Sequence, residues 1–151
     1  SPLIRYRSYD LSCTIEPPCG CGFRTVGKIG KVQGRLDTQT KIGYGQKIYP
    51  LLFDEAILPV PGVLSYTLTL EREGFRDRLT FTVEHEGDPA TVGKKVLDAI
   101  NALDEIISAR ENDLILEPEV VLIPAGSVEF APKSKTIIDK RPNYDIGGGK
   151  A

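Results

Sequence analysis

Residues 63–85 read VLSYTLTLEREGFRDRLTFTVEH, and this stretch predicts the fold class more clearly than any other part of the chain. Apolar residues take every second position on both sides of a polar turn at residues 72–74: Leu64, Tyr66, Leu68 and Leu70, then Leu79, Phe81 and Val83. Such alternation is typical of half-buried strands. The stretch therefore predicts an antiparallel hairpin, and because isolated hairpins are marginal its apolar face needs a partner.

The segments around the hairpin supply that partner. After it, Asp88 suits a helix N-cap and Pro89 a first helical position, and an apolar stripe predicts one long amphipathic helix that ends near Asn112. Before it, TKIGYGQKIYP (40–50) predicts a second hairpin, and LLFDEAILPV (51–60) predicts a short helix that Pro59 ends. PEVVLIPAG (118–126) predicts a last strand. We therefore expect an α+β two-layer sandwich of a small antiparallel sheet with helices on one face, plus an N-terminal hairpin and loop segment.

The composition narrows the class of protein. With 151 residues, 40% of them hydrophobic, the chain is expected to form one domain around one core. A net charge of −2 does not favour binding to nucleic acid or to a membrane surface, and no apolar run is long enough to span a membrane. The polar start and the odd count of three cysteines favour a reducing compartment, so we expect a cytoplasmic protein. Because no Met begins it, we expect a piece of a longer or processed chain.

Residues 30–50, GKVQGRLDTQTKIGYGQKIYP, combine cations with a glycine-rich turn. Arg35 and Lys41 can bind phosphate or carboxylate groups, whereas Lys47 is interpreted as a solvated charge of the hairpin. Gly43 and Gly45 allow positive φ and a close approach of the backbone to a ligand or another chain. His85, the only histidine, is expected to be solvated at the polar end of its strand rather than to act as a base.

Four clusters, taken in order, resemble the adenylate-forming (acyl-CoA synthetase) superfamily, and in particular ligases of the phenylacetate–coenzyme A type. They are LIRYRSYDL (3–11), PPCGCGFRT (17–25), QGRLD (33–37) and PAGSVEFAPKSKTIIDKRP (124–142). The resemblance implies that the acceptor-only carboxylate of Asp10 binds both ribose hydroxyls of ATP and that Arg35 contacts the nucleotide. It implies that Asp37 is the hinge between two domains. It also implies that either Gly43 or Gly45 approaches the pantetheine of coenzyme A.

The second cluster contains Cys19 and Cys21, which match a Cys-x-Cys segment of the family except for the inserted Phe23. Two thiolates do not complete a tetrahedral zinc site. Structural zinc would therefore need Cys13 or ligands from another part of the enzyme. The alternative is two free thiols in a tight turn.

The fourth cluster resembles the family's lysine loop. Alignment on Asp139 and Arg141 places Lys133 at the catalytic lysine, with Lys135 as the alternative if the loop slips by two positions. A mobile lysine can bridge the carboxylate oxygen and the α-phosphate while negative charge builds on phosphorus. Pro132 stands where relatives have glycine, so a loop without a catalytic role is the other interpretation.

The resemblance implies the C-terminal portion of an ATP-dependent, AMP-forming carboxylate–CoA ligase with an aryl acid as substrate and ATP, Mg²⁺ and coenzyme A as cofactors. Residues 1–36 would be the tail of a large N-terminal domain, residues 37–146 a mobile C-terminal domain and residues 147–151 a flexible tail. The mobile domain would present the lysine loop for adenylation and then rotate to present the glycine turn for thioester formation. Because the family's phosphate loop and acyl pocket lie upstream, we expect this chain alone to be inactive.

Two other functions stay open. A small α+β sandwich also suits a ligand-sensing or protein-interaction module, in which Lys133 and Arg35 are surface charges. An adenylating domain that passes the acyl group to a carrier protein is the other alternative. Residues 1–33 either pack against a neighbouring copy, as in a homodimer, or are loosely ordered.

Overall fold

A computed structural model describes residues 9–15, 28–32, 34–35, 38–43, 45–127 and 136–142 of the chain. The elements in these residues are β1 (Asp10–Leu11), β2 (Thr14–Ile15), β3 (Lys28–Ile29), β4 (Gly34–Arg35), β5 (Thr40–Ile42), β6 (Gln46–Ile48), α1 (Pro50–Ile57), β7 (Val63–Glu73), β8 (Arg76–His85), α2 (Pro89–Asn101), α3 (Asp104–Glu111), β9 (Glu119–Pro124) and β10 (Ile137–Asp139). None of these helices combines the length and the apolar character that crossing a membrane requires.

The main sheet has four strands in the spatial order β10-β7-β8-β9. β7 and β8 form the predicted antiparallel hairpin, which runs to its turn at the pair Glu73–Arg76. β9 lies parallel to β8 because α2 and α3 carry the chain back between them, and β10 lies parallel to β7. The α+β class is confirmed. The sheet itself is mixed, so the predicted antiparallel pairing holds for its central hairpin and not for its outer strands.

One face of the sheet is covered and forms the core. The predicted apolar positions of β7 and β8 point into it, apart from Leu64, and they pack against residues of the helices and of the β5–β6 hairpin: Phe53, Ile57, Val92, Val96, Ile100, Ile106, Ile42 and Ile48. The rings of Phe53 and Phe81 meet edge to face, with centroids 5.1 Å apart. Threonines of β7 and β8 occupy the opposite face, which is only half-buried.

The second predicted hairpin and the short helix also form. β5 and β6 pair antiparallel, with Lys41 opposite Lys47, and both lysines are exposed. α1 begins at Pro50, where the missing N–H has no intrahelical partner to lose, and it ends at Ile57 before Pro59. The unit belongs to the core, because Ile42 and Ile48 of the strands and Phe53 and Ile57 of the helix are fully buried.

Short two-residue strands precede this unit. β1 pairs with β4 and β2 pairs with β3, both antiparallel. The Gly30 N–H donates to the Cys13 carbonyl at 2.7 Å and extends the second pair. Lys31 Nζ lies 2.6 Å from Glu55 Oε1 of α1, as an exposed ion pair. The described part of residues 1–33 therefore contains the short strands and loops that its composition predicts.

The apolar stripe predicts a single long helix, and this prediction is wrong. α2 ends at Asn101, and α3 begins at Asp104 after Leu103, which takes an extended conformation with ψ 129° as the N-cap. Asp104 and Glu105 then lie in the first turn of α3, where the helix dipole favours negative charge. The break lets α3 leave the axis of α2 while Ile100 and Ile106 both stay buried.

Two strand residues also depart from expectation. Leu64 is 46% exposed, because the β7–β8 register shifts between Val63 and Ser65 and breaks the alternation. His85 is 9% exposed rather than solvated, because it continues the buried positions of β8 and lies between Val63 on β7 and Pro124 on β9.

Candidate functional site

The two residues predicted to bind the nucleotide lie opposite each other. In the β1–β4 pair, Asp10 is the register partner of Arg35, although the two are far apart in the sequence. Register partners of an antiparallel pair have neighbouring Cα atoms. Asp10 is exposed. The fold thus places these two residues opposite each other on neighbouring strands.

The glycine turn joins β5 to β6 and contains two glycines with different surroundings. Gly43 has φ +56°, and a Cβ added there would lie 2.6 Å from the Cβ of Leu114. Gly45 has φ +136°, and an added Cβ would meet no heavy atom of the described residues within 4 Å. Only glycine fits the space at Gly43, whereas Gly45 faces open space. A side chain would therefore clash at Gly43 and not at Gly45.

Asp77 lies under this turn and is fully buried. Its Oδ2 accepts a hydrogen bond from the Gly43 N–H at 2.8 Å and another from Arg141 Nη1 at 2.8 Å. Its Oδ1 faces Arg72 Nε at 2.7 Å as an ion pair. Its backbone is held as well, because its N–H donates to the Leu114 carbonyl at 3.0 Å. One carboxylate therefore connects the turn with two guanidinium groups.

Arg141 is the second buried charge, with a side chain that is 1% exposed. Its guanidinium forms a two-point contact with the Asp139 carboxylate, including a bond from Nε at 2.9 Å, and it lies 3.4 Å from Thr40 Oγ1. Burial raises the pKa of the Asp139 carboxyl. The hydrogen bonds and charge of Arg141, with the hydrogen bond from Thr40, outweigh it and hold that pKa below its ordinary value. Two carboxylates and two guanidinium groups make the cluster electrically neutral.

Several predicted site residues lie outside the described residues: Asp37, Lys133, Lys135, Cys19 and Cys21. Cys13, the proposed third zinc ligand, has an exposed free thiol. Where the structure describes the chain, no group of three or more His, Cys, Asp or Glu side chains could hold a metal ion. The zinc interpretation and the lysine assignment thus stay predictions.

The sequence reasoning missed Asp77. One signal was present, because Asp77 occupies the same alternating set of β8 positions as the buried Leu79, Phe81 and Val83. A charged residue in a buried set needs a partner, since an isolated buried charge is very costly. No sequence pattern identifies that partner as Arg141, which lies 64 positions further along the chain.

Comparison with known sequences and structures identifies the family of the chain. The family described as AMP-binding enzyme C-terminal domain matches residues 45–141, more than half of the chain. A domain of phenylacetate-coenzyme A ligase from Bacteroides vulgatus ATCC 8482 is 21% identical, has a TM-score of 0.53, and the match covers 72% of this chain and 97% of that one. Comparison with curated proteins gives no match.

Two structures of 2-hydroxyisobutyryl-CoA ligase are also similar. The postadenylation state in complex with R3-HIB-AMP is 23% identical with a TM-score of 0.64, covering 87% of this chain and 28% of that one. The thioesterification state with 2-HIB-AMP and CoA is 24% identical with a TM-score of 0.54, covering 89% and 28%. The chain thus spans little more than a quarter of that ligase, and at these identities the likeness shows the fold. With the family match, it follows that the chain belongs to the AMP-binding enzyme C-terminal domains of the adenylate-forming superfamily.

Proposed function

We propose that this chain is the C-terminal portion of an ATP-dependent, AMP-forming carboxylate–CoA ligase. The family match supports this, as do the names of the structural relatives, which are CoA ligases. The observation that carries the proposal is the pairing of Asp10 with Arg35, because it brings the two expected nucleotide residues together.

In the proposed first step, an oxygen of the substrate carboxylate attacks the α-phosphorus of ATP, which enters with Mg²⁺. The bond to pyrophosphate breaks, and an acyl-adenylate forms. Asp10 accepts hydrogen bonds from the ribose hydroxyls and Arg35 holds the phosphates. Lys133 neutralises the charge that builds on the phosphoryl oxygens, a role for which a mobile ammonium group is suited.

In the proposed second step, the thiol sulfur of coenzyme A attacks the acyl carbonyl carbon. The thiol proton goes to solvent, AMP leaves, and a thioester forms. We assign the approach of the pantetheine to Gly45 rather than to Gly43, because Gly45 faces open space and Gly43 is closed by Leu114. A second structure of a relative contains CoA in its thioesterification state, which favours CoA over a carrier protein as the acceptor.

The two steps use different parts of one domain, and we propose that residues 37–146 rotate about Asp37 between them. Residues 1–36 then belong to the large domain, which is the main partner of this chain. An aryl acid is the proposed substrate on the strength of the phenylacetate-coenzyme A ligase domain. The acyl pocket would lie in the large domain, so this chain alone should not form an adenylate.

The test is acid-dependent ATP–pyrophosphate exchange by the full-length protein with a panel of aryl and short-chain acids. Asp10→Ala should raise the KM for ATP about tenfold, because hydrogen bonds from the ribose to a charged acceptor are lost. Asp98→Asn, an exposed change on α2, is the control and should leave that KM unchanged. An unchanged KM in Asp10→Ala, or clear exchange by the 151-residue chain alone, would contradict the proposal.

A further inference from the structure

We propose that the buried Asp77–Arg141 pair is a positioning device that holds the glycine turn in shape for the thioester-forming step. The inference rests on the proposed function, because that function assigns the approach of coenzyme A to this turn. Neither residue touches a substrate in this scheme. Both act through the Gly43 N–H, and so through the backbone that leads to Gly45.

Asp77 contacts both the glycine turn and Arg141. One carboxylate oxygen of Asp77 accepts both the Gly43 N–H and Arg141 Nη1, each at 2.8 Å. Asp77 is 0% exposed and the side chain of Arg141 is 1% exposed, so water does not compete for these bonds. Hydrogen bonds to a charged acceptor are about twice as strong as neutral ones. The backbone of the turn is thus fixed at Gly43, just before Gly45, which faces open space.

The Asp77–Arg141 pair is itself held in place by neighbouring side chains. Arg141 binds Asp139 at two points and reaches Thr40 of β5, while Arg72 covers the other oxygen of Asp77. The cluster is neutral and its members come from β5, β7, β8 and the end of β10. These contacts therefore hold the Asp77 carboxylate in one orientation. Its hydrogen bond to the Gly43 N–H then holds the turn in one shape.

The stability of the folded domain does not by itself require this pair. A buried ion pair can often be replaced by apolar residues of similar volume without loss of stability. An apolar pair could not accept the Gly43 N–H, however, and would leave the turn free to change shape. Arg141 also follows β10, the strand that begins shortly after Lys133 in the sequence. The pair thus links the glycine turn to the chain just after β10.

The experiment compares three variants. Asp77→Leu with Arg141→Met removes the acceptor and both charges while nearly keeping volume. Asp77→Asn keeps an acceptor oxygen and removes the charge, and it serves if the double variant does not fold. Val96→Ala, a buried apolar change on α2, is the control for loss of stability alone.

The first readout is amide hydrogen exchange of Gly43 in the 151-residue chain, measured by NMR against amides of β7. This readout does not depend on any enzymatic activity. We expect Gly43 to exchange about tenfold or more faster, relative to β7, in the double variant, because a hydrogen bond to a charged acceptor is lost. Val96→Ala should leave the ratio unchanged. An unchanged ratio in the double variant would overturn the inference. In Asp77→Asn the acceptor is neutral and weaker, so Gly43 should exchange about threefold faster relative to β7, and if only that variant folds an unchanged ratio in it would overturn the inference.

The second readout separates the two half-reactions of the full-length ligase. The double variant should lower kcat/KM for coenzyme A, with supplied acyl-adenylate, about tenfold or more. ATP–pyrophosphate exchange should change by less than about threefold, and Val96→Ala should show no such split. Equal losses in both half-reactions would overturn the positioning role. If no acid supports exchange in the wild type, the proposed function fails instead, and Gly43 exchange still decides whether the pair holds the turn.

Discussion

Gly43→Ala should destabilise the domain more than Gly74→Ala, although both glycines have a left-handed backbone with φ +56° and +62°. A Cβ in that conformation costs about 1–2 kcal/mol at either position. At Gly43 the new Cβ would also lie 2.6 Å from Leu114 Cβ and 2.7 Å from its Cδ1, whereas a Cβ added at Gly74 would meet no heavy atom of the described part of the chain within 4 Å. Overpacking of this kind costs about 1–3 kcal/mol. The expected losses are therefore about 2–5 kcal/mol for Gly43→Ala and about 1–2 kcal/mol for Gly74→Ala.

Urea unfolding of the 151-residue chain, followed by circular dichroism, measures this difference. With a slope of about 2 kcal/mol per molar urea, the steric part should separate the two midpoints by about 0.5–1.5 M. Gly74→Ala is the matched control because it carries the backbone strain without the contact. Equal midpoints would refute the reasoning, since they would mean that Leu114 does not close the space at Gly43.

Two further predictions concern the charge cluster and the turn. Stability of the chain should fall as pH drops through the titration of Asp139, because its folded-state pKa lies below its ordinary value and the unfolded state then binds more protons. Urea midpoints between about pH 5 and pH 2 should show this slope, and Asp139→Asn should flatten it; identical slopes in both proteins would count against the cluster. Gly45→Ala should slow thioester formation from supplied acyl-adenylate about tenfold, because a side chain would enter the path of the ligand. Pyrophosphate exchange by the same variant is the internal control, and a loss confined to exchange would reverse the assignment of the turn.

Local pattern was sufficient to predict most elements of the fold. Alternating apolar residues identified β7 and β8, since burial on one face of a strand imposes a period of two residues. Glycine identified the β5–β6 turn and proline identified the C-terminal end of α1, because these residues free or restrict the backbone at single positions. The predicted class, α+β, follows from the order of those elements.

Features that depend on distant contacts were not predictable in the same way. The parallel pairing of β10 with β7 joins residues that lie far apart in the sequence, such as Ile137 and Leu68. The break between α2 and α3 interrupts an apolar stripe that alone favours one helix, although Asp104 and Glu105 were a local sign of a new first turn. Burial of His85 likewise depends on strands that flank it.

The candidate site likewise contains residues that the sequence identified and contacts that only the folded chain creates. Sequence resemblance singled out Asp10, Arg35 and the two glycines, and the fold brings the first two into register. It could not separate Gly43 from Gly45, because the difference between them is the position of Leu114 in space. Nor could it pair Asp77 with Arg141, because that contact exists only once the strands have assembled.

The measurement to make first is the separation of the two half-reactions in full-length Lys133→Ala, with Lys95→Ala, an exposed change on α2, as the control. Acid-dependent ATP–pyrophosphate exchange should fall about 100-fold or more, because the charge on the phosphoryl oxygens loses its partner. Thioester formation from supplied acyl-adenylate should stay within about threefold of wild type. Normal exchange in Lys133→Ala, together with a loss in Lys135→Ala, would move the assignment by two positions. Normal exchange in both variants, or no exchange with any acid in the wild type, would contradict the proposal that this domain supplies the lysine of a carboxylate–CoA ligase.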